Sequence, residues 1–142
     1  MENLDPMFKP KSIAIVGASR DPHSIGFSVV KNLIDSKYQG KIFPVNPKAD
    51  EILDLKCYHS VLEIPDEIDL AVITVPAAIT PNVVEECGKK GVKGVAIIAS
   101  GFSEVGRSDL EEKVVEIARK YNMRILGPNI VGIMSNPMKM NA

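Results

Sequence analysis

Residues 13–26 read Ile13-Ala14-Ile15-Val16-Gly17-Ala18-Ser19-Arg20-Asp21-Pro22-His23-Ser24-Ile25-Gly26: a β-branched run, a glycine, a polar loop, and then residues with helical spacing. Beyond the loop, Phe27, Val30, Leu33 and Ile34 recur at helical intervals with Lys31 and Asp35 on the other side, which predicts a helix facing a core. A buried strand that turns tightly into an amphipathic helix is the opening half of a βαβ unit. The fold is decided by how often that unit returns.

It returns along the whole chain. Strands are expected at Ile13–Val16, Lys41–Val45, Leu70–Val75, Val95–Ile98 and Met123–Leu126, with amphipathic segments between them. Thr80 is expected to cap a second helix, with Pro81 at its first position, Val83 and Cys87 facing inward, and Gly88 or Gly91 ending it. Ser108 and Glu111 have capping-box spacing ahead of Leu110, Val114, Ile117, Ala118 and Tyr121, which share one stripe. Strands alternating with helices predict the α/β class: a Rossmann-like, doubly wound, mainly parallel sheet in a single domain.

Composition narrows the function classes. The 142 residues are 45% hydrophobic and 25% charged, the profile of a globular domain. Seventeen basic residues against 18 acidic ones leave a net charge of −1, so no global field favours nucleic acid or an anionic membrane, and any anion site must be local. Apolar runs such as Leu70-Ala71-Val72-Ile73 are too short to cross a bilayer, and residues 1–10 carry no signal-peptide core, so a cytoplasmic protein is expected. The cysteines, Cys57 and Cys87, form no CxxC pair and have no paired histidines, which predicts neither a metal site nor a disulfide framework. Cys87 falls on an apolar helix face and is expected to be buried; Cys57 lies in a loop-like stretch.

Ligands of a doubly wound sheet bind beyond the carboxyl ends of its strands, so the residues after each strand carry the chemistry. The loop from Gly17 to Gly26 opens into a helix and is expected to offer backbone N–H groups to a phosphate. It departs from the dinucleotide fingerprint G-x-G-x-x-G, because Ser19 stands where the second glycine belongs. The second strand leads into Asn46-Pro47-Lys48 and lacks the acid that holds a free ribose diol. Lys48 there suggests a phosphorylated ribose, as in coenzyme A or NADP, the alternative being a solvated surface charge. Arg20 is either a phosphate partner or a solvated loop charge.

Five segments, in order, resemble the CoA-binding domain of ADP-forming acyl-CoA synthetases, the superfamily that includes the succinyl-CoA synthetase alpha chain. They are Gly17-Ala18-Ser19 with Ile25-Gly26, Val45-Asn46-Pro47-Lys48, Val75-Pro76, Ser100-Gly101-Phe102-Ser103-Glu104-Val105-Gly106, and Gly127-Pro128-Asn129-Ile130-Val131-Gly132-Ile133. The ADP-forming acetate–CoA ligases are the nearest branch. The resemblance implies that the loop containing Gly17, Ala18, Ser19, Arg20, Ser24, Ile25 and Gly26 holds the CoA phosphates and that Lys48 meets a phosphate at the nucleotide end. Asn46, Pro47, Val75 and Pro76 would then flank the adenosine part. Ser100, Gly101 and Phe102 would run beside the pantetheine arm, with Pro128 and Asn129 near the thiol; the alternative for Gly127-Pro128-Asn129 is a plain turn.

The resemblance also implies what the chain lacks. Family members pass a phosphoryl group through a histidine in a following domain, and neither His23 nor His59 occupies that place. There is no ATP-grasp domain and no Walker A sequence. Residues 1–142 are therefore expected to be the CoA-binding, N-terminal part of a longer ligase, inactive alone and completed by further domains or an ATP-grasp subunit. Asn136–Ala142 stops without helix pattern or tail composition, which agrees with a longer chain. Two other readings compete: a stand-alone CoA-binding regulatory protein, and an NAD(P)-binding domain, against which Ser19 and Lys48 argue.

Overall fold

Alternate residues of the first strand, β1 (Ser12–Val16), enter different cores: Ile13 and Ile15 face one side of the sheet and Ala14 and Val16 the other, and all of them are buried. A strand buried on both faces belongs inside a sheet covered by helices on both sides. The computed structural model describes residues 9–98 and 108–126 together with the backbone of 134–135 and 140–141. Its main sheet has five strands in the order β2-β1-β5-β6-β7, where β2 is Lys41–Val45, β5 Leu70–Ile73, β6 Gly94–Ile97 and β7 Arg124–Leu126. All neighbouring pairs in it are parallel. The order reverses between β1 and β5, which makes the gap beyond their carboxyl ends the switch point of a doubly wound sheet.

Helix α1 (Ile25–Asp35) covers one face through Val29, Val30 and Leu33, packed with Ile13, Ile15, Leu70 and Val72. On the other face, α2 (Thr80–Lys90) contributes Val84 and Cys87, and α3 (Ser108–Lys120) contributes Val114 and Ala118, against Ala14, Ala71, Ile73 and Val95. Tyr121, just past α3, donates its hydroxyl to the Glu85 carboxylate and ties α3 to α2.

The elements depart from the sequence reading in places that have local causes. The stripe of α1 is Gly26, Val29, Val30 and Leu33, so Ile34, expected in the core, is exposed. Strand β5 stops at Ile73 rather than Val75. Thr74 closes on the Val16 carbonyl with its N–H at 2.8 Å and its hydroxyl at 3.2 Å, and Pro76 has no N–H to continue a ladder. Thr80 is not the cap of α2: its hydroxyl donates back to the Pro76 carbonyl at 3.0 Å, while Ile79 ends a preceding 3-10 turn at the N-cap position. Gly91, at φ 90°, ends that helix. Strand β6 starts and stops one residue early, and β7 starts at Arg124.

A hairpin escaped the sequence reading altogether. Strands β3 (Glu51–Ile52) and β4 (Leu55–Lys56) pair antiparallel across Leu53 and Asp54, both at positive φ without the glycine or asparagine that usually marks such a turn. The chain then runs along the outer edge of β2: Tyr58 donates its N–H to the Pro44 carbonyl at 2.9 Å and accepts from the Asn46 N–H at 2.9 Å. An edge strand is thereby partly covered.

Among the buried acids of the core, Cys87 and Tyr38 titrate late. Burial pushes the Cys87 thiol up from about 9 to about 12, and burial, with Asp69 adding to it, pushes the Tyr38 hydroxyl, which donates to the Pro10 carbonyl, well above its ordinary value. Both stay neutral in the folded chain while the unfolded chain ionises them at their ordinary values, so their contribution is complete below pH about 9 and is lost as pH rises towards 12. The urea midpoint should hold steady from pH 7 to 8.5 and fall above pH about 9, and Cys87→Val should flatten part of that fall. A midpoint independent of pH up to about 11 would contradict the burial of these groups.

Candidate functional site

Three loops meet beyond the carboxyl edge of the sheet. Gly17, at φ 100°, turns the chain out of β1, and its N–H and that of Ala18 both donate to the Val45 carbonyl at the end of β2, at 3.0 and 3.2 Å. A side chain on Gly17 would strike Thr74 Oγ1 at 2.5 Å, so the loop after β5 lies directly against it. The start of α1 is packed just as closely, since a Cβ on Gly26 would stand 2.0 Å from the Gly17 carbonyl oxygen. Glycine is required at both positions for clearance, and at Gly17 for its backbone angle as well.

Between these glycines the loop is held by its own polar side chains. Ser19 Oγ accepts the Asp21 N–H at 3.0 Å, Asp21 Oδ1 accepts the His23 N–H at 3.0 Å, and Ser24 caps α1 by accepting the Phe27 N–H at 3.1 Å. Ser24 also donates its hydroxyl to the Asp21 carbonyl at 2.8 Å. Once these bonds are assigned, the backbone N–H groups of Ser19, Arg20, Ile25 and Gly26 have no acceptor among the described residues. The first turn of α1 carries no acid, so its positive end is not compensated from within the helix. Unpaired N–H groups at such an end are the chemistry of an anion site. The loop therefore offers fewer donors than its length suggests, because Gly17 and Ala18 turn theirs inward.

The other expected residues divide by position. Arg20 and Lys48 are exposed, on the loops after β1 and β2, so two cations stand at the same edge. Asn46 is half-buried and donates from Nδ2 to the Ala18 carbonyl at 2.8 Å, joining those two loops. Pro47 is exposed beside it; Val75 is half-buried and Pro76 exposed on the loop after β5. The first acid after β2, Asp50, is engaged by His59 Nε2 at 2.8 Å. Ile25 is 54% exposed at the start of α1, a large apolar side chain at the rim of the loop. Ser100, Gly101, Phe102, Pro128 and Asn129 lie outside the described residues, as does the side chain of Ser108.

Two contributors were given no part in the site from sequence. Thr74 closes the crevice under Gly17, and from sequence it lay within the expected strand Leu70–Val75, directly before Val75-Pro76. Cys57 is buried behind Asn46 with its thiol 3.8 Å from the Asn46 carbonyl, and burial pushes that thiol up from its ordinary range. Cys87 is buried as expected. Among the described residues, no group of three or more His, Cys, Asp or Glu side chains is arranged to hold a metal ion. No helix among the described residues is long and apolar enough to cross a membrane.

Residues 11–136 match the model of a family described as a CoA binding domain. The ADP-forming acetate–CoA ligase of Methanocaldococcus jannaschii is 57% identical over 94% of this chain, which spans 19% of that protein. The alpha subunit of ADP-forming acetate–CoA ligase I from Pyrococcus furiosus is 56% identical over 99% of this chain, which spans 32% of it. Among solved structures, an acetyl-coenzyme A synthetase of Ca. Korarchaeum cryptofilum in complex with phosphate and ADP superposes with a TM-score of 0.97 at 48% identity, covering 100% of this chain and 31% of that one. The chain thus spans roughly a fifth to a third of the length of these proteins.

The contact between Gly26 and the Gly17 carbonyl sets a test that needs no ligand. Gly26→Ala places a methyl group against backbone that cannot swing aside, and should destabilise the chain by about 3 kcal/mol in urea denaturation, at the upper end of overpacking costs. Ser28→Ala, on the exposed side of the same turn, should change stability by less than about 0.5 kcal/mol. Equal midpoints for the two variants would show that α1 does not start against the loop.

Proposed function

The chain belongs to the CoA-binding domain family, and on that premise we propose that residues 1–142 hold coenzyme A as the N-terminal domain of an ADP-forming acid–CoA ligase. The observation that carries this reading is a loop, leaving β1 beside the switch point and ending at the acid-free start of α1, in which the N–H groups of Ser19, Arg20, Ile25 and Gly26 have no acceptor among the described residues. Phosphate oxygens of CoA supply the acceptors that these donors lack, and Arg20 stands next to them as a counter-charge. Lys48 reaches the phosphate on the ribose, with Pro47, Val75 and Pro76 around the adenosine and Ile25 giving it an apolar contact. Ser100, Gly101 and Phe102 run beside the pantetheine arm, and Pro128 and Asn129 stand near the thiol; for these five the family resemblance is the support.

The overall reaction would join an acid to CoA with conversion of ATP to ADP and phosphate. This chain supplies the CoA site and no catalytic residue. The phosphoryl carrier and the ATP site belong to further domains or to a partner subunit; that the Pyrococcus furiosus relative is an alpha subunit supports this. His59, paired with Asp50, and His23, on the rim of the loop, remain outside that chemistry. A cytoplasmic location fits the substrates.

Calorimetric titration of the chain should show binding of CoA and no comparable binding of NAD. Lys48→Ala should weaken CoA about ten-fold, the worth of roughly 1–2 kcal/mol for a partly exposed charge-assisted contact, and dephospho-CoA much less. The chain alone should form no acyl-CoA from acetate, CoA and ATP. Equal weakening of both ligands would move Lys48 to the pyrophosphate, and binding of NAD in preference to CoA would overturn the reading.

A further inference from the structure

Both ends of the Asn46 side-chain amide are taken up within the protein. Nδ2 donates to the Ala18 carbonyl at 2.8 Å, across from β2 to the loop after β1, and Oδ1 accepts the Lys48 N–H at 2.8 Å, along its own loop. The opposite orientation of the amide would set Nδ2 against the Lys48 N–H and Oδ1 against the Ala18 carbonyl, two like pairs, so only one orientation satisfies both neighbours. The backbone of the same residue is engaged too, its N–H donating to the Tyr58 carbonyl at 2.9 Å and its carbonyl accepting the Ala49 N–H at 3.4 Å. Asn46 is half-buried, whereas Pro47 and Lys48 beyond it are exposed.

We propose that Asn46 is a positioning residue: it fixes the separation between the loop that holds the phosphates and the lysine at the nucleotide end, acting through Ala18 and Lys48. This rests on the reading that CoA occupies this edge. The requirement is one of shape and polarity. A carboxylate at this position keeps the acceptor for Lys48 but turns a lone pair towards the Ala18 carbonyl, and a glutamine carries the amide one methylene too far. Lys48 has a long, exposed side chain, and it is useful as a reader of one phosphate only if its backbone is anchored relative to the others. Pro47 between them fixes its own φ and adds no donor that competes for Oδ1.

The test combines a readout without ligand and a double-mutant cycle with it. In Asn46→Ala the hydrogen exchange of the Lys48 amide should rise about ten-fold or more while the amides of Ile15 and Val72 in the sheet hold their rates, which a loss of global stability would not produce. Lys48→Ala should then cost less than about two-fold in CoA affinity in the Asn46→Ala background, against about ten-fold in the native one. Asn46→Asp, which keeps the bond to Lys48, should restore protection of that amide; it serves alone should the alanine variant fail to fold. If the native chain binds CoA but the two substitutions add, or if the Lys48 amide exchanges as before in Asn46→Ala, the positioning role is overturned by itself. If the native chain binds no CoA, the reading of the edge falls and this role with it.

Discussion

Between the Cα of Gly26 and the carbonyl oxygen of Gly17 there is no room for a methyl group. The arrangement of the candidate site follows from that contact. It sets the first turn of α1 directly on Gly17 and Ala18 of the loop leaving β1, so the free donors of Ile25 and Gly26 and those of Ser19 and Arg20 belong to one closed loop. Gly17 can occupy that place because its positive φ turns the chain sharply, and because Thr74 has closed the crevice by bonding to Val16. The sheet contributes the direction: with every neighbouring pair of main strands parallel, the loops after β1, β2 and β5 leave from one edge.

A chain of net charge −1 has no field to gather anions from a distance. The anion chemistry we propose for it is local and would rest mostly on backbone dipoles, with Arg20 and Lys48 as the charged additions. Such a site distinguishes ligands by geometry more than by charge, because N–H groups and two lysine or arginine heads at fixed separations fit one spacing of phosphates. The proposed role of Asn46 follows from this: its amide joins the loop after β1 to Lys48, the parts whose separation would be read. CoA, with phosphates at two distinct places, is a ligand for which such spacing is informative.

Much of this was legible in the sequence, and the reasons are physical. The β-branched runs marked the main strands because strands buried on both faces are apolar throughout, and Gly17 with Gly26 marked the loop because close backbone approach excludes every other residue. The five ordered segments pointed to the family, which the match over residues 11–136 bears out. What stayed hidden has no local signal. The β3–β4 hairpin turns on Leu53 and Asp54 at positive φ, a pair without the glycine that usually marks such a turn, and is held by contacts with the β2 edge. Ile34 sits at helical spacing and is still exposed, because Gly26 and Val29 rather than Ile34 complete the stripe. The inward turn of the Gly17 and Ala18 N–H groups depends on the Val45 carbonyl, distant in sequence, so the loop reads as a fuller cradle than it is.

The most direct measurement is the amide spectrum of isotopically labelled chain during titration with CoA. The account predicts that the largest shifts fall on the backbone N–H groups of Ser19, Arg20, Ile25 and Gly26, with smaller ones at Gly17 and Ala18, whose donors remain on Val45. Shifts centred on the opposite edge of the sheet, around Lys11, Asp69 and Lys93, or a spectrum unmoved by CoA, would contradict it.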